Sequence, residues 1–299
     1  MSPITAPRGM VAAPHPRATE AGIEALRAGG SAVDAAVAAN AMLAVVYGNA
    51  CGIGGDAFAL VWDPAEAHLY GFNGSGRSPA GLSIQHVRGA GHETMPQRGP
   101  FTVNVPGAVD AWVQLLDRFG RRSLADALRP AAEAAEHGYQ LTRITAGAIR
   151  GSLAWFDDAA RAVFGSVGGP GDTLRQPLLA ASLRAIAEGG REAYYGGAIG
   201  GEIARAVQAA GGVLSAEDIA AHRGDWVDPI ATAYRDHELA TVPPNSQGIT
   251  ALIALNVLSR LDWPAGTPSF EGGLEAASAE MGTRDCRVTS PSRSASNSM

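Results

Sequence analysis

At 299 residues the chain is long enough to bury a substantial core, as one large domain or two smaller ones, and 46% hydrophobic with 17% charged residues is a globular composition. A net charge of −6, a pI near 5.6 and basic side chains that are scattered and all Arg leave no clustered cations for nucleic-acid phosphates, so no nucleic-acid partner is expected. The two cysteines, Cys51 and Cys286, sit in no C-x-x-C arrangement and make no disulfide framework, which points to a reducing compartment.

The opening M-S-P-I-T-A-P-R-G holds no apolar run of signal-peptide length, and a cytoplasmic location is expected. Gly29-Gly30 ends a first helix, and Ser31 with Asp34 has the S-x-x-D spacing of an N-terminal cap, so a second helix starts at about Ala32. From there to Val46 the polar side chains are Asp34 and Asn40 alone; a helix apolar nearly all round is a core helix. It is too short and too Ala-rich to span a bilayer, and no membrane partner is expected. Gly52, Gly54 and Gly55 lead into a strand over Ala57 to Trp62, with His68 to Phe72 as its hairpin partner. The run C-G-I-G-G-D lacks G-x-G-x-x-G spacing and precedes a strand instead of a helix, which argues against a nucleotide loop and a cofactor.

Asn73 to Pro79, N-G-S-G-R-S-P, reads as a glycine-rich loop, Thr102 to Val105 as a short strand, and Pro106-Gly107 as the opening of a helix through Trp112 to Phe119. Ser123 and Asp126 repeat the capping spacing before a helix ended by Gly138. Further helices are expected over Thr142–Trp155, Leu178–Glu188, Ile199–Ala210 and Ala216–His222. Asp225–Arg235 and Glu238–Pro243 then read as strands joined at Asp236-His237, followed by a helix over Ile249–Leu261. From Gly272 to Met299 the chain is Ser- and Arg-rich with no hydrophobic period.

The order G-M-V-A-A-P-H-P-R-A-T-E-A-G, G-G-S-A-V-D-A-A-V-A, C-G-I-G-G-D-A-F-A-L-V, then V-P-G, W-V-D-P-I-A-T-A-Y-R and V-P-P-N-S-Q-G closely resembles the gamma-glutamyltranspeptidase family of N-terminal-nucleophile hydrolases. The resemblance covers roughly Gly9 to Asp262. It implies an α+β fold of αββα layers, helices outside two stacked antiparallel sheets, in which residues 1–268 form a large-subunit region and 269–299 an unmatched tail, disordered or out of frame. Members cut themselves in two, and the new N-terminal Thr of the small subunit attacks an amide carbonyl, its own α-amine serving as base. The E-A-x-K-x-A-x-x-D-R helix expected after residue 268 is not found. Thr267, Thr283 and Thr289 have none of the sequence context of the family's nucleophile, so no catalytic residue is assigned and the fold is expected to be incomplete.

The function implied is amide hydrolysis or acyl transfer on γ-glutamyl or related small acyl amides such as oxamate. The alternatives are an inactive truncated fragment, or a non-catalytic half that needs a separately encoded small subunit as partner. Glutamyl-specific members clamp a substrate carboxylate with an Arg in R-E-x-A-P. Here Ser75 occupies that position and Arg77 lies two residues later, leaving Arg77 either a displaced clamp or a solvated or bracing loop residue. The shift weakens γ-glutamyl specificity, and P-P-N-S-Q-G is closer to oxamate-hydrolase-like members than to the transpeptidase P-P-S-S-G-G. Asn245, Ser246 and Gln247 stand at a predicted helix N-terminus, placed either to bind an anion or carbonyl oxygen or simply to cap the helix. The histidines are dispersed, His92-Glu93 lacks the second His of H-E-x-x-H, and no metal is expected; Ser31 lies in a helix cap, not in the G-x-S-x-G elbow of a serine hydrolase.

Overall fold

The structure is a computed structural model and describes residues 5–260. Pro16 stands in the first turn of α1 (Pro16–Arg27), where a missing N–H costs nothing, and His15 caps it by accepting from Arg17 N at 3.3 Å. After Gly29, whose φ is 87°, α2 (Ala32–Val46) starts at a reciprocal box: Ser31 Oγ accepts from Asp34 N at 3.2 Å and the Asp34 carboxylate accepts from Ser31 N at 2.6 Å. α2 is buried along nearly its whole length, as its all-round apolar surface requires.

Both polar side chains of α2 are used. Asn40 Oδ1 accepts from the indole N–H of buried Trp112 at 2.7 Å. The Asp34 carboxylate also accepts from Arg121 N at 2.9 Å and Arg122 N at 3.0 Å, so one buried side chain ties the start of α2 to a distant loop. Burial alone would raise the Asp34 pKa; the hydrogen bonds from Arg121, Ser31 and Arg122 outweigh it and hold the carboxyl below its ordinary range.

Antiparallel β1 (Ala57–Asp63) and β2 (His68–Gly74) pair from Ala57 opposite Gly74 to Asp63 opposite His68. Then follow α3 (Ile84–Gly89), α4 (Ala108–Phe119), α5 (Leu124–His137), β3 (Tyr139–Gln140), α6 (Arg143–Ser152), α7 (Asp158–Phe164), β4 (Thr173–Leu174), α8 (Pro177–Tyr195), α9 (Ala198–Ala209) and α10 (Ala216–Ala220). β3 pairs with β4, while β5 (Asp225–Val227) returns to β2 with Asp225 opposite Asn73, giving the sheet order β1-β2-β5. The core is built from α2, α4, α5 and α8, with Phe72 of β2 fully buried against them.

A second compact unit begins at Asp228. In it β6 (Ile230–Tyr234) and β7 (His237–Thr241) form a hairpin, and α11 (Gly248–Leu258) is tied to β6 by Thr232 Oγ1 donating to Asn256 Oδ1 at 2.7 Å. The α+β class expected from the sequence is the one observed. The boundary expected near residue 268 lies outside the described residues, as do Cys286, Thr267, Thr283 and Thr289. Among the described residues no helix is long and apolar enough to cross a membrane.

Four local expectations change. Thr102 to Val105 is not a strand: a 3-10 turn covers Pro100–Thr102, and Val105 N bonds the carbonyl of Arg77 at 3.0 Å instead of a neighbouring strand. Asp225 to Arg235 is two strands in two sheets, because Asp228-Pro229 interrupts it. The hairpin turns at Arg235-Asp236, with Arg235 at φ 57°, one residue earlier than expected. The helix expected to stop at Glu188 is broken near there, at Gly190 (φ 58°, ψ −146°), but resumes as far as Tyr195.

Asp34→Ala should lower the unfolding free energy by about 2–4 kcal/mol, because it strands buried backbone donors that a charged acceptor now satisfies. Asp126→Ala, in the matching but more exposed box with Ser123, should cost much less. Chemical denaturation of both variants checks the difference.

Candidate functional site

Three backbone segments of the first unit meet beside the sheet: Gly52 to Asp56, Gly74 to Arg77, and Val105 to Ala108. Gly107 N and Ala108 N both donate to Gly55 O at 2.9 Å, Val105 N donates to Arg77 O, and Gly76 N donates to Asp56 Oδ1 at 3.2 Å. The approach leaves no room for side chains. A Cβ on Gly76 would lie 1.5 Å from Val105 O, and one on Gly107 would lie 2.0 Å from Gly74 O. Half-buried Ser75 is held locally, its N–H and hydroxyl both donating to Asn73 Oδ1, at 3.0 and 2.7 Å.

This junction holds the loop backbone while the Arg77 side chain reaches outward, 73% exposed, with Nη2 3.4 Å from Oδ2 of Asp225 on β5. Two tyrosines at the end of α8 brace it from behind. Tyr194 OH donates to Ile53 O at 2.7 Å; Tyr195 OH donates to Pro106 O at 2.9 Å and accepts from Asp110 N at 3.0 Å. Burial pushes both phenols well above their ordinary pKa, so they act as fixed donors.

Asp110, fully buried in the first turn of α4, organises what lies beneath. Its carboxylate accepts from Arg191 Nε at 2.8 Å, from Gln114 Nε2 at 2.7 Å and from Gly224 N at 2.7 Å. The last of these fixes the residue immediately before Asp225. Arg191 also donates to His222 O and lies over the Tyr195 ring at 4.5 Å. His222 is buried and stacked on Tyr195, and neither ring nitrogen has a hydrogen-bond partner. Burial is the main reason its pKa falls below the ordinary imidazole value; Asp110 and Asp225 pull it up, Arg191 and Arg77 push it down.

Ser75, half-buried, and Arg77, exposed, therefore share one braced loop. Asn245, Ser246 and Gln247 lie together in the second unit, before α11. Gln247 is the N-cap of α11 without a side-chain bond, and Ser246 Oγ donates back to Val242 O at 2.8 Å. Asp110, Arg191 and Asp225 carry no motif; the one sequence signal was an acidic residue three positions beyond V-P-G on the apolar side of α4. Among the described residues no three His, Cys, Asp or Glu side chains are grouped to hold a metal. The half-buried Cys51 thiol has no disulfide partner among the described residues, and burial raises its pKa.

A buried histidine with a lowered pKa makes stability depend on pH in a defined direction. The unfolded chain takes up a proton near pH 6.5, whereas folded His222 does so only at lower pH, so its contribution is complete above about 6.5 and is lost as pH falls. His15, also buried with a lowered pKa, adds a slope of the same sign. His222→Phe should flatten the decline in unfolding free energy between pH 7 and 5 without removing it; identical slopes in the two proteins would contradict the assignment.

The sequence profile of the family described as Gamma-glutamyltranspeptidase matches residues 18–293. A glutathione hydrolase-like proenzyme of Bacillus subtilis is 38% identical over 263 residues, 85% of this chain and 49% of the relative. The oxamate amidohydrolase proenzyme of Klebsiella pneumoniae is 31% identical over an alignment of 306 residues, 95% of this chain and 56% of the relative. The chain thus spans about half the length of the curated relatives it matches. Among solved structures, gamma-glutamyltranspeptidase of Helicobacter pylori matches with a TM-score of 0.85 at 28% identity, covering 93% of this chain and 83% of that one. By profile, sequence and fold together, the chain belongs to the gamma-glutamyltranspeptidase family of N-terminal-nucleophile hydrolases.

Proposed function

We propose that the chain supplies the large-subunit part of an amide hydrolase or acyltransferase for small acyl amides bearing a free carboxylate, γ-glutamyl or oxamate-like, and that a small subunit brings the Thr nucleophile. The observation that carries this reading is Arg77, an exposed guanidinium on an immobilised loop whose partner Asp225 is itself 60% exposed. A pair so open to water is weak, and a substrate carboxylate offering two parallel hydrogen bonds can displace Asp225. The Thr hydroxyl, its proton taken by the α-amine, would then attack the amide carbonyl; the C–N bond breaks, the departing amine or ammonia takes up that proton, and the resulting acyl ester is resolved by water or an acceptor amine. Ser75 at the family's Arg position, and the names of the relatives, favour small dicarboxylic monoamides alongside γ-glutamyl compounds.

The face of β1 supports the need for a further subunit. Phe58, Leu60 and Trp62 alternate onto one side of the strand and stay 42%, 42% and 59% exposed, and among the described residues β1 pairs with β2 alone. An apolar strip on an edge strand is a surface that calls for cover.

The purified chain should neither cleave itself nor hydrolyse γ-glutamyl or simple amides. Turnover abolished by substituting Thr267, Thr283 or Thr289 would overturn the division of labour. With a small subunit added in trans, Arg77→Ala should cost about 1.5–3 kcal/mol in kcat/KM on substrates with a free carboxylate, the range for hydrogen bonds to charged groups, and little on neutral amides. Equal losses on both would make Arg77 a structural residue.

A further inference from the structure

Away from the Arg77 loop, the C-terminal end of α2 forms the floor of a cavity of about 310 Å³, walled by α6, the 3-10 turn Leu153–Trp155 and α7. The floor is built before any ligand arrives. Val45 O accepts from Tyr139 OH at 2.7 Å and from Gln176 Nε2 at 3.0 Å, and Val46 O accepts from Thr145 Oγ1 at 3.3 Å, so the last carbonyls of α2 are already satisfied. The remaining surface mixes apolar and aromatic side chains, Val45, Ile149, Trp155, Phe156 and Phe164, the two Phe rings 5.6 Å apart, with the polar Asn49 and Ser152.

Among the described residues, one ionic group lines this space. The Arg98 guanidinium lies 4.7 Å over the Trp155 ring and forms no ion pair among the described residues, and no carboxylate belongs to the lining. The nearest acidic neighbour in sequence to the aromatic wall, Asp157, caps α7 by accepting from Ala160 N at 2.8 Å. Trp155 remains 65% exposed, a large apolar ring left in water with a cation on it. The volume is at the lower end of small-molecule sites, and none of the lining residues belongs to the Arg77 junction.

We propose that this cavity binds an aromatic carboxylate of arylacetate size, its ring against Trp155 and the apolar wall and its carboxylate on Arg98. The cation, without an acidic partner among the described residues, sets the sign of the ligand's charge, and the aromatic lining sets its body.

The test is fluorine NMR of 4-(trifluoromethyl)phenylacetate titrated with the chain, beside its neutral amide. Saturable broadening is expected for the acid and, more weakly, for the amide. Arg98→Gln should weaken the acid about tenfold, the equivalent of one charge-assisted hydrogen bond, and leave the amide unchanged. Trp155→Ala should weaken both, whereas Trp155→Phe, which keeps a ring, should retain both; circular dichroism establishes that each variant is folded. Arg77→Gln should change neither. Absence of saturable broadening, equal loss of acid and amide in Arg98→Gln, or loss of the acid in Arg77→Gln would each overturn the proposal, the last by moving the ligand to the other arginine.

Discussion

Gly76 and Gly107 let one loop lie directly on another, backbone against backbone, at distances that any Cβ would forbid. Arg77 depends on that contact for its position. A loop rich in glycine is costly to order, since each glycine gives up more conformational freedom than any other residue, and the cost is offset here by hydrogen bonds that close on themselves: Gly55 O takes two N–H groups, Arg77 O a third, and the Asp56 carboxylate a fourth. The result is a flexible sequence made rigid, with a long, exposed side chain at its end that reaches only Asp225 among the described residues.

Two buried carboxylates organise the first unit in different ways. Asp34 gathers backbone N–H groups and needs no counter-cation, because fixed donors supply the positive potential. Asp110 instead meets Arg191, and the pair is worth more as a fixture than as a source of stability, since the desolvation of both charges consumes most of their attraction. What the pair secures is placement: Gly224, and through it the start of β5, cannot move without leaving a buried charge short of a donor.

How much of this was legible in sequence follows the range of each interaction. α2 was readable because its signals are local: a cap at Ser31, an acid three residues later and an apolar surface all round. α5 was readable for the same reason, between Ser123 and Gly138. The short helix α7 was missed although Asp157 caps it, since seven residues give too little period to recognise. Thr102 to Val105 had strand-like composition, but what decides a strand is a partner, and Val105 found the Arg77 loop. The candidate site was half visible. Arg77 stood out by its loop and by resemblance, whereas Asp225 lies 148 positions away, and no local pattern reports such a pairing. Asp110 and Arg191 were hidden likewise, each an ordinary charged residue until the fold brings them together.

The Arg77–Asp225 pair also bears on how binding would respond to ionic strength. A lone surface guanidinium loses affinity for an anion steadily as salt screens it. On the proposed reading an incoming carboxylate would replace a carboxylate already present, so salt would weaken the contact that must be broken together with the one that forms. Exchange of this kind makes affinity comparatively insensitive to the ionic composition of the medium and leaves selectivity to shape and to the number of hydrogen bonds the newcomer can offer.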